Sequence, residues 1–584
     1  MKRLVLTIAL AVIAVFSAFA QEKETYLYAE KDSTKLYMDV YVPKVQNEQQ
    51  SCLVFVFGGG FISGKRDDSQ VQEVKKHFTD KGYVVSAIDY RLGMRGQKEF
   101  APLKAMKQFQ RSIDMAAEDV ISALDYTLRE LQSTKKYTIN SANIIINQEG
   151  VDAAAKAEAE FFRAYSYNLL VTLWGPVPLI TESKAEPRTN FTRNAVSEVD
   201  AVIASDLNDA IANLPEVGKT KTQNRINKDC ARILAGEAFL RMGKAAEAES
   251  AVTPVISGGN YKLVSERYGK YLSEAGDYYS DMFRWHNQRR SEGNTEGIWV
   301  FQMEYNRDVT GGTIDNPQQR RNWVAAFHKI DGMQNADSIG GRGNGRLRLS
   351  NYVKYGIYEK GDIRNSNHNI RRILYYNKPN WSSSIWVKDG FKVDEGTAGA
   401  TQISVKTGDK AYWTVKDTLN VMYPHTTKWG GYDPTDDFGY AIVKDWPIMR
   451  LADAYLLRAE ARVQQNNAAG AAEDINVLRD RAFKTYRAET GNAEAGKVTA
   501  AQMNLDFILD ERIRELVGEE NRRYTLCRTG KLAERVKMIM DKWAETTESK
   551  KITGFDANKH CLLPIPLSEI QLNKDADLQQ NPGY

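Results

Sequence analysis

The chain has 584 residues, with 79 lysines and arginines against 75 aspartates and glutamates, so its formal net charge is only +4. This even balance argues against a nucleic-acid partner, which would favour a strongly basic surface. The four cysteines are too few for a disulfide scaffold and form no C-x-x-C pair, and no two of the six histidines have the spacing of a helical metal site. We therefore expect neither a metal nor a cofactor.

The first twenty residues have the form of an export signal. Lys2 and Arg3 precede a short apolar run, Leu4–Phe16, which is too short for a membrane-spanning helix. An A-x-A site predicts cleavage between Ala20 and Gln21, and hence a mature protein outside the cytoplasm. No cysteine follows this site, so we expect no lipid anchor of the bacterial lipoprotein type there.

From the signal to about residue 131, strand-like and helical patterns alternate. Apolar residues alternate within Lys35–Val42, and the continuous apolar runs Cys52–Phe57 and Val84–Ile88 are typical of strands buried on both faces. Helical patterns follow each run, at Val71–Lys81 and Met115–Leu131. This order predicts an α/β layer with a parallel sheet.

Beyond about residue 150 the pattern changes to amphipathic helices in pairs. Small and aromatic residues recur in Ala235–Ala248 and in Ala454–Ala461, as they do in tetratricopeptide-type helix hairpins. The predicted helices are Lys156–Leu173, Ser197–Leu214, Asp229–Met242, Ala245–Ile256, Arg450–Gln465, Ala468–Ala482 and Leu505–Val517. Residues 258–445 form a long irregular region, and loops of that length are usually functional. We therefore predict a mainly α fold of helix pairs with long irregular loops, preceded by an incomplete α/β segment.

A glycine turn follows the first buried strand. Gly58, Gly59 and Gly60, together with Ala87–Gly93, resemble the start of an α/β-hydrolase of the esterase type. In that family the backbone N–H groups of such a turn help to form an oxyanion hole. Phe57 stands where the family usually has histidine.

The remaining hydrolase machinery is missing from the sequence. No G-x-S-x-G motif occurs, and the candidate strand Ala142–Ile146 leads into Asn147–Gly150 where the nucleophile elbow should follow. An oxyanion turn without a nucleophile does not make an esterase. We therefore interpret the glycines as a vestigial oxyanion turn and expect no enzyme activity. The alternative is a secreted carboxylesterase with an accessory helical domain, for which Ser63 and His77 are the nearest nucleophile and base.

From about residue 143 onward the chain resembles the SusD/RagB family of outer-membrane nutrient-binding proteins. The residues that support this resemblance lie, in family order, at 156–165 (KAEAEFFRAY), 174–179 (WGPVPL), 361–364 (GDIR), 423–429 (YPHTTKW), 446–456 (WPIMRLADAYL), 510–516 (DERIREL), 521–524 (NRRY), 563–566 (LPIP) and 581–584 (NPGY). The resemblance implies tetratricopeptide-like helix pairs and a non-enzymatic binder at the outer-membrane surface. It also implies an oligosaccharide or similar nutrient as ligand, and a SusC-like TonB-dependent transporter as partner.

The chain departs from this family at its N-terminus. Family members usually have a lipobox cysteine and a set of first helices where the hydrolase-like segment stands here. We predict a signal peptide at 1–20, a partial hydrolase-like segment at 21–140 and a SusD/RagB-like domain at 141–584, with the join between Tyr126 and Gly150. A gene fusion or an assembly chimera would produce this arrangement.

Tryptophans in the irregular region are the candidate ligand contacts. Flat aromatic rings bind the C–H faces of sugars at low entropy cost. The candidates for glycan contact are Trp285, Trp323, Trp381, Trp386 and Trp429. Tryptophans also fill cores, and we expect this of Trp299, which lies in an apolar run.

Charged residues in two family-like motifs have a structural interpretation. Glu511, Arg512, Arg514 and Glu515 look catalytic, but their helical spacing predicts a salt-bridged face. Asp362 and Arg364 are expected to form a local ion pair that stabilises a turn.

Overall fold

The computed structural model describes most of the chain in segments, and every structural statement below concerns these segments. The described residues are 23–31, 34–41, 52–56, 66–67, 69–80, 84–89, 134–182, 188–222, 225–303, 319–336, 340–431, 444–545 and 551–584. The chain divides into two compact units, one ending at Tyr137 and the other beginning at Thr138. The signal segment, the predicted helix Met115–Leu131 and the glycine turn lie outside the described residues.

The first unit contains a small sheet with one described helix against it. Its elements are β1 (Lys23–Lys31), β2 (Thr34–Tyr41), β3 (Cys52–Val56), α1 (Ser69–Thr79) and β4 (Val84–Ile88). The strand order is β1-β2-β4-β3, and Val71 of α1 packs on Tyr41, Val85 and Ala87. Strands β2, β3 and β4 and helix α1 agree closely with the predicted ones, whereas β1 was not predicted.

The sheet is mixed rather than parallel, which corrects one expectation. β3 and β4 run parallel, as the strand–helix–strand pattern predicts, but β2 pairs antiparallel with both β1 and β4. Only two residues separate β1 from β2, and so short a connection permits only antiparallel pairing.

Helices are the main regular elements of the chain from residue 134 onward. They are α2 (Thr134–Asn147), α3 (Ala153–Trp174), α4 (Val196–Asn213), α5 (Lys228–Arg241), α6 (Ala245–Ser257), α7 (Tyr278–Asp281), α8 (Gln319–Trp323), α9 (Asp417–Asn420), α10 (Leu451–Gln464), α11 (Ala468–Thr490), α12 (Leu505–Leu516), α13 (Arg522–Arg528), α14 (Leu532–Lys542), α15 (Ala557–His560) and α16 (Leu567–Leu572). Shorter 3-10 turns lie at Gly269–Tyr271, Arg290–Glu292, Phe327–Lys329, Ile363–Asn365 and Ala500–Gln502, and a π turn lies at Tyr352–Gly356. Within the described ranges, no helix is both long and apolar enough to cross a membrane.

The long helices pack against one another in a continuous series. α3 packs on α4, α4 on α5 and α5 on α6, while α6 also packs on α10, the partner of α11. The predicted mainly α architecture of helix pairs is therefore confirmed.

Small residues allow helices α5 and α6 to pack closely together. A Cβ atom at Gly236 would lie 2.3 Å from Cγ2 of Val252 on the facing helix, so no larger residue fits there. Ala235 and Ala238 beside it are fully buried. The small-residue pattern in this stretch thus corresponds to a tight helix–helix contact.

The region predicted as irregular contains three small antiparallel sheets. Their strands are β5 (Gly297–Phe301), β6 (Ile370–Arg371), β7 (Ser382–Lys388), β8 (Phe391–Val393), β9 (Thr401–Lys406), β10 (His425–Thr426) and β11 (Trp446–Arg450). β11 pairs with β5, β10 pairs with β6, and the third sheet has the order β8-β7-β9. Trp299 on β5 packs edge-on against Phe161 of the main core at 5.6 Å, as predicted.

The predicted strand Ala142–Ile146 is wrong, because these residues lie inside helix α2. The helix turns Ala142 and Asn143 inward, and the amide of Asn143 donates to the carbonyl oxygen of Ile180 at 2.9 Å. The apolar run looked like a strand, yet Ile144 is 49% exposed, since a helix directs neighbouring residues to different sides.

Candidate functional site

An aromatic cleft lies beside the three-stranded sheet of the second unit. Its cavity has a volume of about 110 Å³ and is lined by Lys329, Ile330, Asp331, Tyr376, Trp381, Lys392, Tyr412, Trp413, Thr414 and Asp417. Three parts of the chain supply these residues: the 3-10 turn at Phe327–Lys329 and the two residues after it, the stretch from Tyr376 to strand β8, and residues 412–417 at the start of α9. We call this site the aromatic cleft.

Trp381 is held in a defined orientation within the aromatic cleft. Its indole Nε1 donates to Oδ1 of Asp331 at 3.2 Å, and its ring lies 4.3 Å from that of Tyr376 at a tilt of 40°. Gly332 has a φ of +84°, and a Cβ there would lie 2.8 Å from the indole and 2.7 Å from the tyrosine ring. Glycine is therefore required both by the backbone conformation and by the ring contact.

The segment from Tyr412 to Asp417 that lines the aromatic cleft is fixed by hydrogen bonds. The hydroxyl of Tyr376 accepts from the backbone N–H of Tyr412 at 3.1 Å, and burial raises the pKa of Tyr376. The Asp417 carboxylate accepts from both the N–H and the hydroxyl of Thr414, at 2.9 and 2.8 Å. Hydrogen bonds within the protein thus orient the Tyr376 ring and the Asp417 carboxylate.

This combination of groups suits a polyhydroxylated ligand. Tilted aromatic rings present apolar faces to C–H groups, and carboxylates and ammonium groups at the rim can exchange hydrogen bonds with hydroxyls. Asp331 is exposed and Lys392 is half-buried, so both side chains remain accessible to solvent.

Of the five predicted contact tryptophans, only Trp381 lines the aromatic cleft. Trp386 is half-buried on β7, where strand alternation places it on the face opposite buried Ile385. Trp285 stacks on His286 at 4.6 Å, and Trp323 packs against the cluster around Val353. The structure therefore does not place these rings around Trp381.

Trp429 is a core residue, which corrects its prediction as a ligand contact. Its side chain is only 4% exposed, and its Nε1 donates to the carbonyl oxygen of Gly518 at 2.6 Å. Its ring meets that of Trp446 edge-on at 5.5 Å. With both the ring and the N–H already occupied, Trp429 has no face to offer a sugar.

Sequence reasoning did not single out most of the aromatic cleft. Tyr376 and Tyr412 are two of 29 tyrosines, and nothing in their local pattern marks them. The partnership of Asp331 with Trp381 spans 50 positions and arises only from the fold. The one available signal was the density of tryptophan in the region, which includes Trp413.

A larger groove, of about 720 Å³, lies between α4, α5 and α6. Its lining includes one aromatic side chain, Phe239, and otherwise alkyl and mixed polar groups. It lacks the fixed rings and carboxylates of the aromatic cleft, so the smaller site is the better candidate for binding. Among the described residues no group of His, Cys, Asp or Glu is arranged to hold a metal ion.

The charged motif residues form a buried ion-pair network. Arg364 contacts Asp362, Glu511 and Glu515 at 2.7, 2.7 and 3.0 Å, and all four side chains are almost fully shielded from solvent. Arg514 also reaches Glu511, at 2.8 Å. The predicted salt-bridged face and the predicted local pair at Asp362 are both confirmed, although they lie in the interior rather than at the surface.

The electrostatics of this network keep its carboxylates ionised. Burial alone would raise the pKa of Glu511, but Arg364, Arg514 and Arg479 together bring it down to about 2. The carboxylate of Glu515 is likewise held ionised, by Arg481, Arg450 and Arg364, against the effect of burial. A carboxylate locked in this way is structural, since it can neither take up nor release a proton near neutral pH.

The vestigial oxyanion turn Gly58–Gly60 and Ser63 lie outside the described residues, as does the side chain of His77. Their arrangement therefore stays a prediction.

Comparison with known proteins assigns the chain to a family. The model described as the SusD family matches residues 282–584, and a second model, described as starch-binding and associating with the outer membrane, matches residues 97–239. The first match alone covers more than half of the chain. The chain belongs to the SusD family.

Individual relatives agree with this assignment. The SusD-like protein P25 of Formosa agariphila is 26% identical over 76% of this chain and 78% of its own length. A solved structure titled "Laminarin binding SusD-like protein" covers 77% of this chain and 84% of its own, with a TM-score of 0.52 and 22% identity. The surface glycan-binding protein A from Bacteroides fluxus covers 82% and 88%, with a TM-score of 0.52 and 20% identity. At these identities the structural likeness establishes the fold alone.

The N-terminal resemblance also has a counterpart. A model described as the carboxylesterase family matches residues 17–102. This match and that of the second SusD-like model overlap at residues 97–102. The overlap lies upstream of residues 126–150, where we predicted the join.

Proposed function

We propose that the chain is a glycan-binding protein of the outer-membrane surface that delivers its ligand to a SusC-like TonB-dependent transporter. Membership of the SusD family supports the binding role, and two structural neighbours have titles that refer to laminarin and to surface glycans. The export signal expected at residues 1–20 and the outer-membrane description of one matching model support the location.

The aromatic cleft is the proposed glycan site, and the fixed pair of Trp381 and Tyr376 is the observation on which this rests. A ring that is already oriented loses little entropy when a ligand stacks on it, so more of the contact energy contributes to affinity. The cavity has room for about four water molecules, at roughly 30 Å³ each. The cavity would enclose only part of a sugar ring, and the rest of an oligosaccharide would lie outside it.

The test is titration of the mature protein with a panel of neutral and acidic oligosaccharides, followed by calorimetry or tryptophan fluorescence. Trp381→Ala should weaken binding of the best ligand about tenfold, or about 1–2 kcal/mol. Trp285→Ala is the matched control, since Trp285 is also half-buried but lies outside the aromatic cleft, and it should bind normally. Unchanged affinity in Trp381→Ala, with a loss in Trp285→Ala, would place the site elsewhere.

Delivery to a transporter needs a separate measurement. The tagged protein should co-purify from detergent-solubilised outer membranes with a TonB-dependent transporter, and binding-deficient Trp381→Ala should still do so. Recovery of the protein alone would contradict the proposed partner while leaving the glycan site intact.

A second candidate, a secreted carboxylesterase, is favoured by one observation, the esterase-family match that includes Gly58–Gly60. It requires a nucleophile with a base within hydrogen-bond reach.

A further inference from the structure

Two cysteines of the second unit lie against each other near the C-terminus. The thiol of Cys527, at the end of α13, donates to the carbonyl oxygen of Cys561 with a sulfur–oxygen distance of 3.3 Å. Both residues are half-buried, whereas the free Cys230 is fully buried in the main core. The pair therefore combines proximity with partial access to a reagent.

A neighbouring contact keeps the two cysteine-bearing segments together. Nη2 of Arg523, one turn before Cys527 on α13, donates to the carbonyl oxygen of His560 at 2.6 Å. The same helix face thus contacts consecutive residues of the α15 segment.

The electrostatics of Cys527 are consistent with a close neighbour. Burial raises the pKa of the Cys527 thiol, Arg523 opposes this, and a negative charge on Cys561 raises it further.

We propose that Cys527 and Cys561 form an intramolecular disulfide when the chain meets a disulfide donor outside the cytoplasm. One thiolate attacks the donor disulfide and releases one donor thiol, and the second thiolate then displaces the other. The two cysteines lose two electrons and two protons in total, and the donor disulfide is reduced to two thiols. The location of this reaction outside the cytoplasm rests on the proposed export of the chain. The pairing of Cys527 with Cys561 does not.

The bridge would close a loop of 34 positions and fix the start of the C-terminal segment. That segment packs on the end of α3, where Leu563 donates its N–H to the carbonyl oxygen of Leu173 at 2.8 Å. The indole of Trp174 also donates to the carbonyl oxygen of Pro564, at 3.0 Å. A disulfide at Cys561 would keep these contacts formed by limiting the freedom of the unfolded chain.

The test is oxidation of the reduced, full-length mature protein with glutathione disulfide, followed by alkylation and mass spectrometry. The wild type should lose two hydrogen atoms and yield a peptide that links Cys527 to Cys561. Its melting temperature should rise by a few degrees and fall back on reduction. Cys527→Ser and Cys561→Ser should each lose the cross-link and the response to reductant, while the control Cys52→Ser should retain both.

The proposal is overturned if, after oxidation, both thiols still react with the alkylating reagent. It is also overturned if each cysteine carries a glutathione adduct and no link between them forms. A second sample, quenched in acid directly from the producing cells and then alkylated near neutral pH under denaturing conditions, separates the two claims. If the cross-link forms in the purified protein but is missing from the cell sample, the result would argue against export. The ability of Cys527 and Cys561 to form a disulfide would still be established.

Discussion

Nη1 of Arg364 lies 2.7 Å from Oε1 of Glu511, and both side chains are completely shielded from solvent. Arg364 belongs to the 3-10 turn that precedes strand β6, and Glu511 belongs to helix α12. The same glutamate accepts from Arg479 of α11 at 3.0 Å. One buried carboxylate thus connects the loops around the aromatic cleft to the helix pairs that support them.

We expect Glu511→Gln to be strongly destabilising. The substitution leaves Arg364, Arg479 and Arg514 close together without their shared negative charge, and breaking a buried ion pair costs about 3–5 kcal/mol. Chemical denaturation of the variant should show this loss. Glu494→Gln, at an exposed residue paired with Lys497, serves as control and should unfold at the wild-type midpoint. An unchanged midpoint for Glu511→Gln would mean that the network adds nothing to stability.

Stability should fall with acidification because of His425. This side chain is buried, and its desolvation, together with the nearby Arg371, lowers the pKa of the imidazole from 6.5 to about 4. Between pH 4 and pH 6.5 the unfolded chain binds a proton at this histidine and the folded chain does not. The histidine therefore contributes its full stabilisation of the fold above about pH 6.5, and this stabilisation is lost as the pH approaches 4. The total loss is on the order of 3 kcal/mol.

The measurement for this prediction is the free energy of unfolding at a series of pH values. His425→Gln cannot titrate, so the stability difference between wild type and variant should shrink as the pH falls from 6.5 to 4. Parallel curves for the two proteins would show that the imidazole does not titrate in the expected window.

Asp331 should act by orienting Trp381. Asp331→Ala removes the acceptor for the indole N–H, and we expect affinity for the best oligosaccharide to fall several-fold, since a typical hydrogen bond contributes about 1 kcal/mol. Asp331→Asn keeps an oxygen acceptor and should bind nearly as well as wild type. An equal loss in both variants would instead indicate that the carboxylate contacts the sugar itself.

The mature protein should show no turnover of an activated acyl ester. The sequence has the glycine turn Gly58–Gly60 but no G-x-S-x-G nucleophile motif. Ser63→Ala provides the check, because hydrolysis that depends on Ser63 would establish the carboxylesterase alternative.

The helices could be predicted because their signal is local. The spacing of Val199, Ile203 and Leu207 gives one apolar stripe, and all three are fully buried in α4. Capping also acts over a few residues, as where Asn227 accepts from the backbone N–H groups that begin α5. Ala142–Ile146 was predicted wrongly because an apolar run of that length has no period that distinguishes a strand from a helix.

The binding residues could be predicted only in part, because their environment is set by distant segments. Trp381 and Trp429 are both single tryptophans in a region rich in glycine and polar residues. The indole N–H of Trp381 donates to Asp331 at the edge of a cleft, whereas that of Trp429 donates to the carbonyl oxygen of Gly518 in the interior. Neither partner is close in sequence, so residue type alone could not separate a ligand contact from a core residue.

The hydrogen bond from the indole of Trp174 to the carbonyl oxygen of Pro564 joins residues 390 positions apart, so it can form only late in synthesis from the N-terminus. Closing so long a loop costs entropy before any contact compensates for it. The end of α3 therefore stays uncovered until residues 563 and 564 have been made. This order of events would keep that part of the chain open during the export that we propose.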